Sequence, residues 1–312
     1  MRINHLFSVA FLVVAGLLLP GCKNGTQKDA TTAPVTDSIP AIPYITLNNG
    51  MKMPQLGCGT FTLKETTPAC VKHAIHLGFR LFDTAQGYGN EAEVWQGIKE
   101  SGIDRSEVFI TSKVSTDAMR NHTVCESLNQ SIEVLGGGYI DLMLIHWPVE
   151  GFIEETWKIM EEYVDAGKIR AIGLSNFNPR HIDDLLKYAR IKPVVNQIEV
   201  HPYLTQQEVV GYTFAKGIQV EGWAPLGQGQ CLGDETIAGI AGKYGKSVAQ
   251  VILRWNIQRG LIAIPRCDNP DYTAENLDIF DFELSPVDMA IINGLNKNQR
   301  TNSKNDPEHF PW

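Results

Sequence analysis

Residues 79–91 read FRLFDTAQGYGNE. An apolar run, Phe79, Leu81 and Phe82, ends on the carboxylate of Asp83, and Tyr88 stands five residues later between Gly87 and Gly89. Taken alone, this is a strand followed by a connecting loop. Its meaning comes from repetition along the chain. Short β-rich runs recur as LGCGTF (56–61), FRLFDTA (79–85), VFITSKV (108–114), IDLMLIHW (140–147), IRAIGLSN (169–176), VVNQIEV (194–200), IQVEGWAP (218–225) and LIAIPRC (261–267). Between them lie segments of helical spacing with recognisable starts. Asn90 with Glu93 makes a capping-box pattern, while Asn178-Pro179 and Asn269-Pro270 each put an N-cap before a proline at the first helical position.

Eight strands alternating with helices over about 250 residues predict an α/β fold, a (β/α)8 TIM barrel. An N-terminal β-hairpin is expected in YITLNNGMKMP (44–54), where Asn49-Gly50 supplies the turn. A doubly wound dinucleotide sheet would need GxGxxG between a strand and a helix, and the sequence has none. Gly136-Gly137-Gly138 precedes a strand and reads as a helix terminator. The 312 residues fit one barrel domain without a split. A net charge of −8 argues against a surface for the phosphate backbone, so no nucleic-acid partner is expected.

The first residues have a separate character. Arg2 precedes an almost wholly apolar stretch from Leu6 to Leu19, then Pro20-Gly21-Cys22. That is the layout of a secretory signal, too short for a comfortable membrane span. LPGC resembles the lipobox of bacterial lipoproteins, which implies lipidation at Cys22 and a periplasm-facing membrane location in the cell envelope, with the cytoplasm as the alternative if the leader is not used. Pro20 departs from the small residue that pattern prefers. Residues 23–43 are small, polar and proline-punctuated, as a flexible tether would be, so the domains read 1–22 signal, 23–43 tether and 44–312 barrel. Cys58, Cys70, Cys125, Cys231 and Cys267 include no CxxC pair and suggest buried free thiols, with no metal site.

In a TIM barrel the C-terminal ends of the strands open on one face, and that face carries the chemistry. Asp83 and Tyr88 follow the second run, Lys113 ends the third and His146 ends the fourth. Each alone is an ordinary strand-end residue; together they fit one mechanism. A tyrosine, with an ordinary pKa near ~10, gains as a proton donor from a cation that stabilises its phenolate, and Lys113 can supply it. Asp83 would hold Lys113, and His146 would hydrogen-bond the reacting carbonyl. None of these side chains can deliver hydride, so a nicotinamide cofactor is implied.

Through DTAQGYGNE, FITSKV, IDLMLIHWP, IGLSNF, VVNQIEVHPYL, GWAPLGQG and ENLDIFDFEL the chain resembles the aldo-keto reductase superfamily, in unbroken order from about residue 44 to 300. It looks nearest to the bacterial branch that includes 2,5-diketo-gluconate reductases. The resemblance implies that Asp83, Tyr88, Lys113 and His146 are the catalytic tetrad. It further implies that Ser175, Asn176 and Gln197 bind the nicotinamide carboxamide, that Trp223 stacks on the ring, and that Leu226, Gly227 and Gly229 wrap the pyrophosphate. At the adenosine end the family pattern of Lys-Ser, with Arg six residues beyond that Lys, becomes Arg266, Cys267 and Tyr272, while Glu275 and Asn276 are kept. NADPH is the expected cofactor, with NADH accepted: Arg266 can still grip a 2′-phosphate and the helix opening at Pro270 offers backbone N–H groups.

For a small carbonyl substrate, Phe61 and Trp147 with Trp223 would line an apolar mouth, and the tail DPEHFPW (306–312) would fold over it. Sugar-derived ketones, aliphatic aldehydes and methylglyoxal-like compounds all stay open. A monomer is expected from family habit. Two rival functions use the same barrel: a cofactor-binding regulatory protein, as potassium-channel β-subunits partly are, and a glycosidase using Asp83 and Glu199. An exported reductase would stand apart from the soluble nicotinamide pool of the cytoplasm.

Overall fold

The computed structural model describes residues 41–309, so the expected signal segment, the tether as far as residue 40 and the last three residues lie outside the described residues. The hairpin comes first: β1 (Tyr44–Thr46) pairs antiparallel with β2 (Lys52–Pro54). Its turn is the expected Asn49-Gly50, with Gly50 at φ +85° and the Asn49 side chain accepting the Met51 N–H.

Eight further strands follow: β3 (Cys58–Gly59), β4 (Leu81–Asp83), β5 (Phe109–Val114), β6 (Ile140–Ile145), β7 (Ile169–Ser175), β8 (Val195–Glu199), β9 (Gln219–Trp223) and β10 (Ile262–Ile264). Each lies within one of the eight runs. They form one parallel sheet in chain order from β3 to β10. The ends meet through parallel bridges, Leu56 to Ala263 and Gly59 to Arg266, and through Gly57 N–H to Ala263 O (2.9 Å) and Ala263 N–H to Gln55 O (3.0 Å). The sheet therefore closes as a barrel, as expected.

The hairpin seals the barrel at the N-terminal ends of the strands. Leu47 and Met53 pack with Leu81, Phe109, Val195 and Ile262, each at or near the first residue of its strand. Helices cover the outside, and Gly97 shows how closely they approach. A Cβ there would lie 2.6 Å from Pro68 O and 2.8 Å from Val71 Cβ, so the helices Thr67–Leu77 and Glu91–Ser101 nearly touch backbone to backbone.

Two of the three helix starts read from the sequence hold. Asn269 accepts the Asp271 and Tyr272 N–H groups, and Asn178 N–H donates to His181 Nδ1 (3.1 Å) before the helix Pro179–Leu186. Asn90 is a correction. It precedes the helix Glu91–Ser101 without capping it, because its buried amide is spent on tertiary bonds: Nδ2 donates to Thr60 O (2.9 Å) and Leu63 O (3.1 Å), and Oδ1 accepts the Thr84 hydroxyl (2.7 Å). The glycine run after the helix Val124–Val134 does terminate it, with Gly136 and Gly137 left-handed. The five cysteines of the described residues are free; Cys58, Cys231 and Cys267 are buried and Cys70 is half-buried, but Cys125 is exposed, which corrects the expectation of five buried thiols. Among the described residues no metal-ligating cluster occurs and no helix is long and apolar enough to cross a membrane.

Candidate active site

Parallel register places β4, β5 and β6 side by side, so their C-terminal ends deliver Asp83, Lys113 and His146 to one rim. Lys113 is fully buried, which would be prohibitive for a lone ammonium. It is not alone: Nζ donates to both oxygens of Asp83 (2.7 and 2.8 Å) and to Thr84 O (2.8 Å). Its remaining contact is the phenol oxygen of Tyr88, 3.3 Å away. Burial alone would lower the Lys113 pKa, but the charge of Asp83 reverses this and raises it, so the ammonium is retained.

Tyr88 reaches the ion pair because Ala85–Gly89 turns as a short 3-10 segment ended by left-handed Gly89. The loop is held from beneath. Asn90 ties Thr84 to the backbone after β3, and Gln86 accepts the Ser115 N–H (2.8 Å). The phenol differs from the simplest expectation of an acidified tyrosine. Burial pushes its pKa up, and Lys113 offsets that only in part, so the net direction is upward. Tyr88 therefore rests as a firmly protonated acid beside a cation waiting to receive its conjugate base. His146 lies against it, ring centroids 5.7 Å apart and nearly perpendicular. Burial, then the charge of Lys113, brings the imidazole pKa down to about 3, so it is neutral at any physiological pH.

The site extends deeper through Gln197, expected from the sequence, to Glu221, which the sequence did not single out. Gln197 Nε2 donates to Asp83 Oδ2 (2.7 Å) and to Glu221 Oε2 (2.9 Å), leaving Oε1 as the outward end of its amide. Glu221 is wholly buried, its Oε1 has no protein partner, and its pKa is raised to about 8, first by burial and then by Asp83. The available signal was a glutamate inside the otherwise apolar or neutral run IQVEGW, where parallel strands are covered on both faces.

Ser175, Asn176 and Trp223 form one cluster beside Gln197. Ser175 Oγ donates to Gln197 O (3.1 Å), Asn176 Nδ2 to His146 O (3.0 Å) and Ser175 Oγ (3.1 Å), and Trp223 Nε1 to Asn176 Oδ1 (2.9 Å). Asn176, after β7, adopts φ +64°, and the rim loop after β9 also has positive φ at Ala224, Gly227, Gln228 and Gly229. Left-handed non-glycine residues store roughly 1–3 kcal/mol each and gather at ligand sites. Gly227 packs down on Cys231 and His201, while the space beside Gly229 is open. Leu226 is half-buried against the helical shell.

Phe61 is 53% exposed and lies on Tyr88, ring centroids 5.0 Å apart, and the half-buried Trp147 stacks near His146 at 6.4 Å. Both therefore stand at the mouth. Of the tail, Glu308 accepts from Asn178 Nδ2 (2.5 Å) and Arg180 Nε beyond the end of β7; residues 310–312 are outside the described residues. Glu199 does not join Asp83. It is buried with His201, Thr301 N–H (2.6 Å) and Arg300, which removes the glycosidase pair.

At the adenosine end Arg266 lies exposed, Tyr272 is 62% exposed and Asn276 is buried, while Glu275 accepts from Ser247 Oγ. Cys267 is buried, as the free-thiol reading expected, with Sγ directed at Gly59 O and so away from a phosphate. One detail differs from expectation: the first-turn N–H groups after Pro270 are already bonded to Asn269 Oδ1.

Comparison with known proteins gives this arrangement its place. The aldo/keto reductase family model matches residues 47–297. The chain belongs to the aldo/keto reductase family. It is 48% identical over 264 residues to a glyoxal reductase of Bacillus subtilis, covering 84% of this chain and 96% of that protein. It is 40% identical over 274 residues to a morphine 6-dehydrogenase of Pseudomonas putida, covering 83% and 93%. Among solved structures, an aldo-keto reductase of Bombyx mori in complex with NADP aligns with a TM-score of 0.80 at 38% identity, covering 87% of this chain and 98% of that one. Against the cofactor of this aldo/keto reductase family, the nicotinamide end fits: Gln197 keeps an unspent amide oxygen, and Gly229 leaves room for close backbone approach.

Proposed function

We propose that this aldo/keto reductase converts an aldehyde or ketone to the alcohol, using a nicotinamide dinucleotide and Tyr88 as the general acid. The observation that carries the reading is the 3.3 Å contact between a fully buried ammonium and the oxygen of a half-buried phenol, in a site shared with a neutral histidine. Tyr88 hands its proton to the carbonyl oxygen. Lys113 stabilises the phenolate left behind, and Asp83, with two hydrogen bonds to Nζ, keeps the ammonium charged and aimed. Neutral His146 donates a hydrogen bond to the same oxygen and fixes the carbonyl. When bound, the cofactor supplies the hydride. Ser175, Asn176, Gln197 and Trp223 would hold its nicotinamide, and the strained loop at Leu226–Gly229 its pyrophosphate.

Phe61 and Trp147 favour small carbonyls with an apolar or flat end, and likeness to a glyoxal reductase makes small α-oxoaldehydes the first class to try. A monomeric working unit is proposed from the family resemblance alone. The sequence of residues 1–22 supports export with lipid attachment at Cys22. Membrane fractionation with a labelled lipid precursor tests this: Cys22→Ser should lose both label and membrane association, and retention of both would refute the anchor.

Turnover tests the main reading. The wild type should reduce glyoxal or 4-nitrobenzaldehyde with a reduced nicotinamide cofactor, and Tyr88→Phe should lower kcat by about 10²–10⁴-fold while still binding the cofactor. Cofactor binding without any turnover in the wild type would instead favour the regulatory role.

A further inference from the structure

The loop after β10 carries one basic residue, Arg266, and three carboxylates, Asp268, Asp271 and Glu275, between residues 265 and 276. It leaves the barrel beside the mouth: Arg266 Nη1 reaches Thr62 Oγ1 (3.1 Å), next to the Phe61 ring that covers Tyr88. The other arm is taken. Arg266 Nη2 is 2.5 Å from Asp268 Oδ2.

We propose that Asp268 sets the cofactor preference: by holding the Arg266 guanidinium it withdraws that cation from a ribose 2′-phosphate, so the protein accepts NADH on terms comparable with NADPH. The inference rests on the reductase reading above. Both members of the pair are substantially exposed, and exposed pairs stabilise a fold by at most about 1 kcal/mol, so stability does not explain this one. Its chemistry does bear on a ribose. At dinucleotide sites an acidic side chain accepts from the 2′-hydroxyl, whereas an arginine accommodates a 2′-phosphate. Here the two are joined, and a phosphate of about −2 charge must displace a carboxylate to reach the guanidinium.

The rest of the loop offers no substitute. The N–H groups of Asp271 and Tyr272 are bonded to Asn269 Oδ1, and the Cys267 thiol is turned inward. Tyr272 stands where the family pattern has arginine, and Asp271 and Glu275 add negative charge. A 2′-hydroxyl, by contrast, needs only Asp268 Oδ1, the oxygen that the contact of Oδ2 with Arg266 does not use.

The experiment is direct calorimetric titration of the full-length protein with NADH and NADPH, and with 5′-AMP and 2′,5′-ADP, in wild type, Asp268→Asn, Arg266→Ala and the double variant. Wild type should bind NADH and NADPH within about tenfold of each other. Asp268→Asn should tighten NADPH and 2′,5′-ADP about tenfold without tightening NADH or 5′-AMP, and adding Arg266→Ala should abolish that gain. Wild-type preference for NADPH beyond about a hundredfold, or a ratio unmoved by Asp268→Asn, overturns the inference alone. Binding of neither dinucleotide overturns the reductase reading, and this inference with it.

Discussion

Glu221→Gln should stabilise the protein in a pH-dependent way whose size follows from the site. Glu221 sits wholly buried at the end of the chain Tyr88, Lys113, Asp83, Gln197, Glu221, with Asp83 as the nearest negative charge across Gln197 and Lys113 as the nearest positive one. Its pKa rises from 4.5 to about 8, so the folded state holds a proton that the unfolded state releases. The sign follows: stability from this group is fully present below pH 4.5 and is lost as pH climbs to about 8. At about 1.4 kcal/mol per pH unit the whole displacement is worth roughly 5 kcal/mol, of which about 3 kcal/mol falls between pH 6 and 9. A glutamine keeps the shape, accepts from Gln197 through its oxygen and places its NH2 where Glu221 Oε1 has no protein partner. Urea unfolding of both proteins at pH 6 and pH 9 measures this. Glu221→Gln should gain about 3 kcal/mol more over wild type at pH 9 than at pH 6. An equal gain at both pH values would refute the placement of a proton on Glu221.

Asp83→Asn removes the charge that keeps Lys113 ionised, so kcat should fall about 10²–10³-fold with KM little changed, together with roughly 3 kcal/mol of stability; unaltered turnover would sink the role given to the ion pair. Asn90→Ala leaves the buried carbonyls of Thr60 and Leu63 without their side-chain donor and should cost about 2–4 kcal/mol by urea midpoint, against well under 1 kcal/mol if Asn90 only began a helix. With its pKa near 3, His146 is neutral throughout the assay range, so kcat/KM should show no break near pH 6.5; a break there that His146→Gln removes would contradict the neutral imidazole. Gly227→Ala meets both a left-handed φ of +59° and a Cys231 Sγ at 2.9 Å, and should lose about 1–3 kcal/mol by thermal shift and weaken dinucleotide binding.

The parts legible in the sequence are those set by local pattern. Eight covered parallel strands must each be a short apolar run, so β3 to β10 could be counted, and the strand-end positions of Asp83, Lys113 and His146 followed from the barrel alone. What escaped depends on three dimensions. Asn90 had the spacing of a cap, but the same amide serves three tertiary partners that no local window contains. Lys113 was rightly placed beside Tyr88, yet the direction of the phenol's pKa is decided by burial, which outweighs the ammonium. Glu221 gave little sign of itself because a strand's sequence does not say which glutamate faces inward. Asp268 carries no sequence signal of its own, because its contact with Arg266 exists only in the folded loop.

The division between strands and loops at this rim has an evolutionary corollary. Asp83, Lys113, Gln197 and Glu221 are fixed on β4, β5, β8 and β9, whereas Phe61, Trp147 and the Arg266–Asp268 pair ride on segments outside any strand. The charged residues that support Tyr88 belong to the staves, but Tyr88 itself and His146 stand on the rim. Grafting the other loops of one such barrel onto the staves of another should transplant its tastes while leaving its reaction untouched, provided the segment Ala85–Gly89 and His146 stay in place.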